Sequence, residues 1–137
     1  MLPKMPSSGG APGFLYVPPY RIQGYSIAGE QTVIQVPELD VCFDMGTCPR
    51  FALSSPFVAV SHGHMDHAGA TAELAEHWGV PIEGPHRDDQ FLLDTIVMWN
   101  EQFGLPPGRN VTPDRWLADG DRVQVGNLTL EVLHCPG

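Results

Sequence analysis

The stretch FVAVSHGHMDHAGA, residues 57–70, joins an apolar run to a cluster of histidines. The run at residues 57–61 is typical of a strand that is buried on both faces of a sheet. Four side chains of metal-binding type follow it directly, in the pattern H-x-H-x-D-H: His62, His64, Asp66 and His67. Imidazole and carboxylate suit Zn²⁺ and similar ions, and a strand end can aim residues two positions apart at one ion. The stretch therefore predicts a metal site at the end of a strand.

The spacing within the motif predicts two ions rather than one. His62 and His64 are placed to share the first ion, whereas Asp66 and His67 lie further along the turn and would serve a second ion. The alternative is that the histidines only cap the strand and bond to backbone groups. Asp44 ends an earlier strand and could orient a metal-bound imidazole by accepting its other ring N–H. An aspartate before Met-Gly is equally typical of a simple turn, so spacing leaves both roles open for Asp44.

The other histidines and the cysteines carry weaker signals. His77 is predicted on the exposed side of a short helix and His86 at the start of a second helix, which favours solvated or capping roles. His134 lies in a predicted terminal hairpin and is a weaker candidate for a ligand. The three cysteines are odd in number and form no C-x-x-C, so neither a disulfide framework nor a cysteine zinc cage is predicted.

The rest of the chain predicts an α/β layered domain. Residues 1–19 are rich in Pro, Gly and Ser and predict a mobile arm or an edge-covering extension, followed by a folded domain over residues 20–137. Short β-branched and aromatic runs predict a meander of three strands: YRIQGYSI, QTVIQV and LDVCFDMG. After the motif we expect a short helix ending at Gly79, a strand at residues 80–84, a second helix over residues 92–103 and a hairpin turning at residues 126–127.

Charge and composition exclude some classes of protein. The chain has 137 residues, enough for one domain, and a formal net charge of −9. Most of that charge falls after residue 70, where the counts are eleven acids and four bases, so this part is a poor match for a nucleic-acid backbone. Neither an export signal nor an apolar run of eighteen residues is found, which predicts a cytoplasmic protein without a membrane span.

SHGHMDHAGA, residues 61–70, resembles the motif of the metallo-β-lactamase superfamily of binuclear metal hydrolases. The resemblance implies an αββα sandwich, of which this chain is the N-terminal part and incomplete at the C-terminus. It also implies a metal site at the end of the two sheets, with ligands from the four motif residues and with Asp44 matching the family's upstream strand aspartate. Two Zn²⁺ ions are expected in a complete site, with Fe or Mn as alternatives.

Different parts of the chain resemble different branches of that superfamily. Residues 20–67 are similar to the short form of ribonuclease Z, which trims the 3′ trailer of transfer RNA precursors. Residues 68–137 are similar to glyoxalase II, which hydrolyses thioesters of glutathione. A truncated, recombined or misassembled sequence would give this pattern, and so would a divergent member. In glyoxalase-like relatives HCPG is followed by further ligands, so little metal binding or turnover is expected from this chain alone.

The resemblance implies a reaction in which the ions activate a water for attack on a carbonyl or phosphoryl centre. Asp66 would hold that water and serve as the base. The acidic second half favours a small-molecule thioester as substrate over precursor tRNA. A third alternative is a catalytically silent metal-binding fragment, whose exposed apolar sheet edge would cause self-association.

Overall fold

The computed structural model describes residues 12–136, and its largest element is a mixed five-stranded sheet. The sheet has the order β1-β2-β3-β4-β5. Its strands are β1 (Gly13–Val17), β2 (Tyr20–Ile27), β3 (Gln31–Val36), β4 (Val41–Phe43) and β5 (Phe57–Ala59). Each consecutive pair from β1 to β4 is antiparallel, which confirms the predicted meander of β2, β3 and β4, and β5 is parallel to β4.

The parallel pair positions the motif. The register places Val41 opposite Phe57 and Phe43 opposite Ala59, so both strands end at the same edge of the sheet. Residues that follow parallel strands collect at their carboxyl ends, which is where sites form in such sheets. Asp44 and the motif therefore meet at one edge, although more than fifteen residues separate them along the chain.

Four α-helices and a separate hairpin complete the described part of the chain. The helices are α1 (Met65–Ala68), α2 (Thr71–Trp78), α3 (Gln90–Leu93) and α4 (Ile96–Phe103). The hairpin consists of β6 (Arg122–Val125) and β7 (Leu128–Glu131), as the alternation in the sequence predicts. Helix α2 ends at Gly79, which has φ 64° and caps it in the left-handed conformation, again as predicted.

The predicted long second helix is wrong, because it is two helices with a break at residues 94–95. Thr95 Oγ1 donates to the carbonyls of Phe91 and Leu92, at 3.0 Å each, and so satisfies the end of α3. Asn110 bridges the break, since its Nδ2 donates to Asp94 O (2.6 Å) and its Oδ1 accepts from Val97 N (3.1 Å). A side chain from a distant loop thus replaces hydrogen bonds that a continuous helix would make.

The predicted strand at residues 80–84 is also wrong. Its backbone bonds go to an irregular loop: Asp114 N donates to Ile82 O (2.9 Å) and Gly84 N donates to Arg115 O (2.7 Å). This yields an isolated bridge between Glu83 and Arg115 rather than a ladder of paired residues.

The N-terminal extension, predicted to be a mobile arm or to cover a sheet edge, is described from residue 12 onward. Residues 1–11 lie outside the described residues. Gly13–Val17 form β1 and pair with β2 at the edge of the sheet. Its side chains from Phe14 to Val17 are exposed.

Helix α1 lies between two apolar clusters. Met65 and Ala68 of α1 pack with Leu93, Ile96 and Val111 in the first cluster. The second cluster lies against the sheet and contains Val33, Cys42, Met45 and Ala52. The motif is therefore anchored to buried residues, although some of its own side chains reach the surface.

Of the helices among residues 12–136, none combines the length and apolar character needed to cross a membrane.

Candidate metal centre

Asp44 is the buried centre of the candidate site. It follows β4 directly, with φ 62°, and its backbone N–H donates to Ala59 O at 2.8 Å. Aspartate is one of the few residues with a side chain that tolerates this left-handed conformation. The residue is only 5% exposed, so its carboxylate needs hydrogen-bond partners inside the protein.

Those partners are Ser61 and His67. Oδ1 of Asp44 accepts from Ser61 N at 2.7 Å, and Oδ2 accepts from Ser61 Oγ at 3.0 Å. Nδ1 of His67 lies 2.9 Å from the same Oδ2. A carboxylate cannot donate, so Nδ1 of His67 carries the proton. Asp44 therefore contacts a motif imidazole, as the metal-orienting role requires.

Ser61 extends this network to His62. Its Oγ lies 2.9 Å from His62 Nδ1, and a hydroxyl has one proton to donate. A hydrogen bond to a carboxylate is stronger than one to a neutral ring, so the hydroxyl donates to Asp44 and accepts from His62 Nδ1–H. In the neutral form of either ring, this arrangement leaves Nε2 without a proton, and an unprotonated nitrogen is the form that binds a metal.

The motif side chains gather around these two rings. The ring centroids of His62 and His67 are 3.9 Å apart, and those of His62 and His64 are 4.9 Å apart. Oδ2 of Asp66 lies 3.5 Å from His67 Nε2 and accepts from Gly29 N at 3.2 Å. Three imidazoles and a carboxylate are thus neighbours, and these residue types suit Zn²⁺ or iron, but no three donor atoms of the motif lie within 4.8 Å of one another.

Burial favours the neutral form of His62. Loss of solvent lowers the pKa of His62, and the neighbouring His67 and His64 rings lower it further when they are charged. A neutral imidazole can bind an ion without first releasing a proton. The electrostatics therefore support a ligand role for His62.

The turn that carries the motif is fixed from two sides. On the sheet side, His67 O accepts from Met45 N at 2.7 Å, and Gly46 packs directly against the backbone of Asp66. On the helix side, Asp89 Oδ2 accepts from Gly63 N at 2.9 Å. These contacts hold the turn without using the motif's own side chains, which stay available for an ion.

Sequence reasoning missed three residues of this site: Ser61, Gly29 and Asp89. Ser61 adjoins the motif, so its position was a signal that could have been used. Gly29 and Asp89 reach the motif only through the fold, and no sequence pattern points to them.

A second group of donors lies elsewhere. In the described part of the chain, His86, Asp88 and His134 are the metal-binding side chains whose donor atoms all lie within 4.8 Å of one another. His86 also caps the 3-10 turn Arg87–Asp89, because its Nδ1 accepts from Asp88 N at 3.2 Å. The capping role expected for His86 is thus present alongside this cluster. His77 is exposed on α2, also as expected.

Comparison with known proteins identifies the class. The family model described as the metallo-beta-lactamase superfamily matches residues 57–137, which is more than half of the chain. The chain belongs to this superfamily, whose members are metal-dependent hydrolases. The predicted fold class is thereby confirmed, with the 137 residues covering the N-terminal part of the neighbouring folds.

The relatives include both branches that the sequence resembles. Hydroxyacylglutathione hydrolase GloC of Haemophilus influenzae is 36% identical over 86 residues, which cover 62% of this chain and 41% of that protein. The tRNase Z TRZ1 of Arabidopsis thaliana is 50% identical over 50 residues, which cover 36% of this chain and 18% of that protein. The chain spans less than half the length of these curated relatives.

Solved structures support the fold. The crystal structure of TTHA1623 in a di-iron-bound form has a TM-score of 0.55 and 25% identity, covering 92% of this chain and 61% of that chain. The metallo-beta-lactamase GOB-18 from Elizabethkingia meningoseptica has a TM-score of 0.57 and 21% identity, covering 98% of this chain and 55% of that chain. The second likeness concerns the fold alone.

Proposed function

We propose that this chain supplies part of the metal site of a hydrolase that cleaves a thioester such as an acylated glutathione. The observation that carries the proposal is the network centred on Asp44, which places a proton on Nδ1 of His62 and of His67 and so leaves Nε2 of the neutral rings for an ion. A structural cluster of histidines does not need that tautomer at two neighbouring rings, whereas a metal site does.

Each residue of the motif has a proposed role. His62 and His64 would hold one ion, and Asp66 and His67 would hold the other. Bound ions supply Lewis acidity and lower the pKa of a water at the site. Asp66 would then position that water and accept its proton, since one of its oxygens already faces the motif ring of His67. Asp44 would keep His67 oriented throughout.

Four donors give two ions about two protein ligands each, and catalytic zinc normally has three. We therefore expect the chain by itself to bind metal weakly and to turn over slowly. Metal content and activity consequently have to be measured together, because a low value of one alone would be ambiguous.

The thioester is favoured by charge and by the extent of the likeness. Residues 71–137 carry eleven acids against four bases, which repels a polyanionic substrate. The match to the hydroxyacylglutathione hydrolase also covers more of this chain, 62% against 36% for the tRNase Z.

Precursor tRNA is the second candidate substrate. It is favoured by one observation, the 50% identity to the Arabidopsis tRNase Z over 50 residues. Cleavage of a tRNA 3′ trailer would depend steeply on salt, whereas hydrolysis of a small thioester would not. Salt dependence therefore separates these candidates.

The test combines elemental analysis with hydrolysis of a glutathione thioester by the chain supplied with Zn²⁺, Fe²⁺ or Mn²⁺. We expect Asp66→Asn to abolish hydrolysis and reduce bound metal. Asp94→Asn is the matched control, since Asp94 is exposed on the break between α3 and α4, and it should change neither. Metal uptake that is insensitive to Asp66→Asn and to His62→Ala would overturn the proposal. Metal bound through the motif without cleavage of either substrate would establish the catalytically silent alternative.

A further inference from the structure

Two distant segments bring a second set of metal-binding side chains together. His86 caps the 3-10 turn before α3, Asp88 lies within that turn, and His134 follows β7. The rings of His86 and His134 stack with centroids 3.7 Å apart and planes 17° apart. Asp88 Oδ2 lies 3.3 Å from His86 Nδ1, which completes a group of two imidazoles and one carboxylate.

The backbone around this cluster is anchored on both sides to one loop, residues 117–121. Pro85 O, next to His86, accepts from Leu117 N at 3.1 Å. On the other side, His134 N donates to Asp119 Oδ1 at 2.9 Å, and Val132 N donates to Asp121 O at 2.8 Å. The two histidines are therefore held near each other by bonds that do not involve their rings.

We propose that His86, Asp88 and His134 form a second binding site for a transition-metal ion of the Zn²⁺ type, independent of the function proposed above. Two imidazoles and a carboxylate match the ligands that Zn²⁺ takes in proteins and leave one position open for water. The site joins the turn before α3 to the segment after the hairpin. A bound ion would therefore link two parts of the fold. The ligands nearest in sequence, Asp88 and His134, are 46 residues apart.

Binding of one ion by both rings requires the side chains to turn. Ligand atoms at a tetrahedral Zn²⁺ lie about 3.4 Å apart, since each is about 2.1 Å from the ion. The donor atoms here already lie within 4.8 Å of one another, but the two rings are stacked with planes 17° apart. An ion lies close to the plane of each imidazole that binds it, so at least one ring has to turn out of the stack. The ion would compete with one hydrogen bond, from Asp88 N to His86 Nδ1, and that bond is exposed to solvent. The Asp88 side chain is 75% exposed and can turn toward the ion without disturbing the core.

The test is titration of Zn²⁺ by calorimetry into the full chain carrying His62→Ala and His64→Ala, which removes two donors of the motif. We expect this background to keep one zinc site per chain. Adding Asp88→Asn should weaken it by about tenfold or more, and His134→Gln by more than that. His77→Gln is the matched control, because His77 is an exposed histidine on α2, and its addition should leave the affinity within about twofold.

A second readout makes the result independent of folding defects. Zinc should shift the ring resonances of His86 and His134, but not those of His77, in nuclear magnetic resonance spectra of the same background. If circular dichroism shows that His134→Gln does not fold, the Asp88→Asn variant, whose changed side chain is exposed, is used for the test instead. Absence of zinc binding in the motif-deficient background, or equal weakening by His77→Gln, would overturn the second site. Neither result would affect the proposed hydrolase, which depends on Asp66 and His62 instead.

Discussion

Replacing Asp44 with asparagine tests the network at the candidate metal centre most directly. The two side chains have nearly the same volume, and asparagine also tolerates the left-handed backbone found here, φ 62°. The substitution therefore leaves packing and backbone unstrained, and changes only the charge and the direction of hydrogen bonds. The bond from Ser61 N to Oδ1 can survive, because the amide keeps one acceptor oxygen.

The other two bonds must reverse. The amide nitrogen would face Ser61 Oγ and His67 Nδ1, at the positions where Oδ2 now accepts at 3.0 and 2.9 Å. His67 can adapt only by moving its proton from Nδ1 to Nε2, which blocks the nitrogen that would bind an ion. Because two charge-assisted bonds become neutral ones, we expect the free energy of unfolding to fall by about 1–3 kcal/mol. Because the tautomer changes at a ligand, metal affinity should fall by about 10–100-fold.

Urea unfolding followed by circular dichroism measures the first effect, and zinc titration measures the second. Asp40→Asn is the matched control, since Asp40 also has a left-handed backbone, φ 55°, but is exposed to solvent. It should change neither quantity appreciably. Nitrogen chemical shifts of the His67 ring report the tautomer itself. If Asp44→Asn leaves both the metal affinity and the Nδ1 proton of His67 unchanged, the carboxylate does not orient the ring and the reasoning fails.

Three further perturbations test other parts of the structure. Gly46→Ala should lower the free energy of unfolding, measured with urea, by about 3 kcal/mol or more, because a Cβ there would lie 2.0 Å from a motif carbonyl. Gly120→Ala is the comparison, since a Cβ there meets open space at φ 78°, and it should lower the same quantity by only about 1–2 kcal/mol. Ser61→Ala should weaken zinc binding severalfold in the same titration yet change stability by less than about 1 kcal/mol, since the backbone bond to the buried carboxylate remains; unchanged affinity would argue against the His62 tautomer. At pH 8 a thiol reagent should modify exposed Cys135 but not Cys42, because burial raises the pKa of Cys42 to about 12. Stability should then fall as the pH rises from about 8.5, where an unfolded thiol ionises, toward 12; rapid native-state labelling of Cys42 would contradict both expectations.

The sequence was most informative where local chemistry decides the structure. Alternation of β-branched residues predicted β2, β3 and β4, and the glycine after α2 predicted where that helix ends. Prediction from the sequence failed where a residue distant in the chain determines the local structure. Asn110 bridges the break between α3 and α4, and nothing near residues 92–103 predicts that bridge. The strand expected at residues 80–84 failed for the same reason, since its neighbour proved to be a loop.

The candidate site shows the same division between local and distant signals. The H-x-H-x-D-H pattern predicts the donors, but the contact of Asp44 with a motif imidazole depends on the parallel pairing of β4 with β5. That pairing brings the ends of two strands together and places Asp44 within 2.9 Å of His67. Register is set by packing across the whole sheet, which no short window of sequence contains.

The tightness of this arrangement explains why the site is part of the fold rather than an addition to it. Gly46 follows Asp44 by two residues and packs against the Asp66 backbone, so the turn bearing the predicted ligands lies directly on the turn bearing the Asp44 carboxylate. A displacement of either turn would break the bonds from Ser61 and His67 to Asp44. Leaving a buried carboxylate without partners costs more than losing the bonds themselves. The polar network and the close backbone contact therefore stabilise the same geometry, and each makes the other harder to lose.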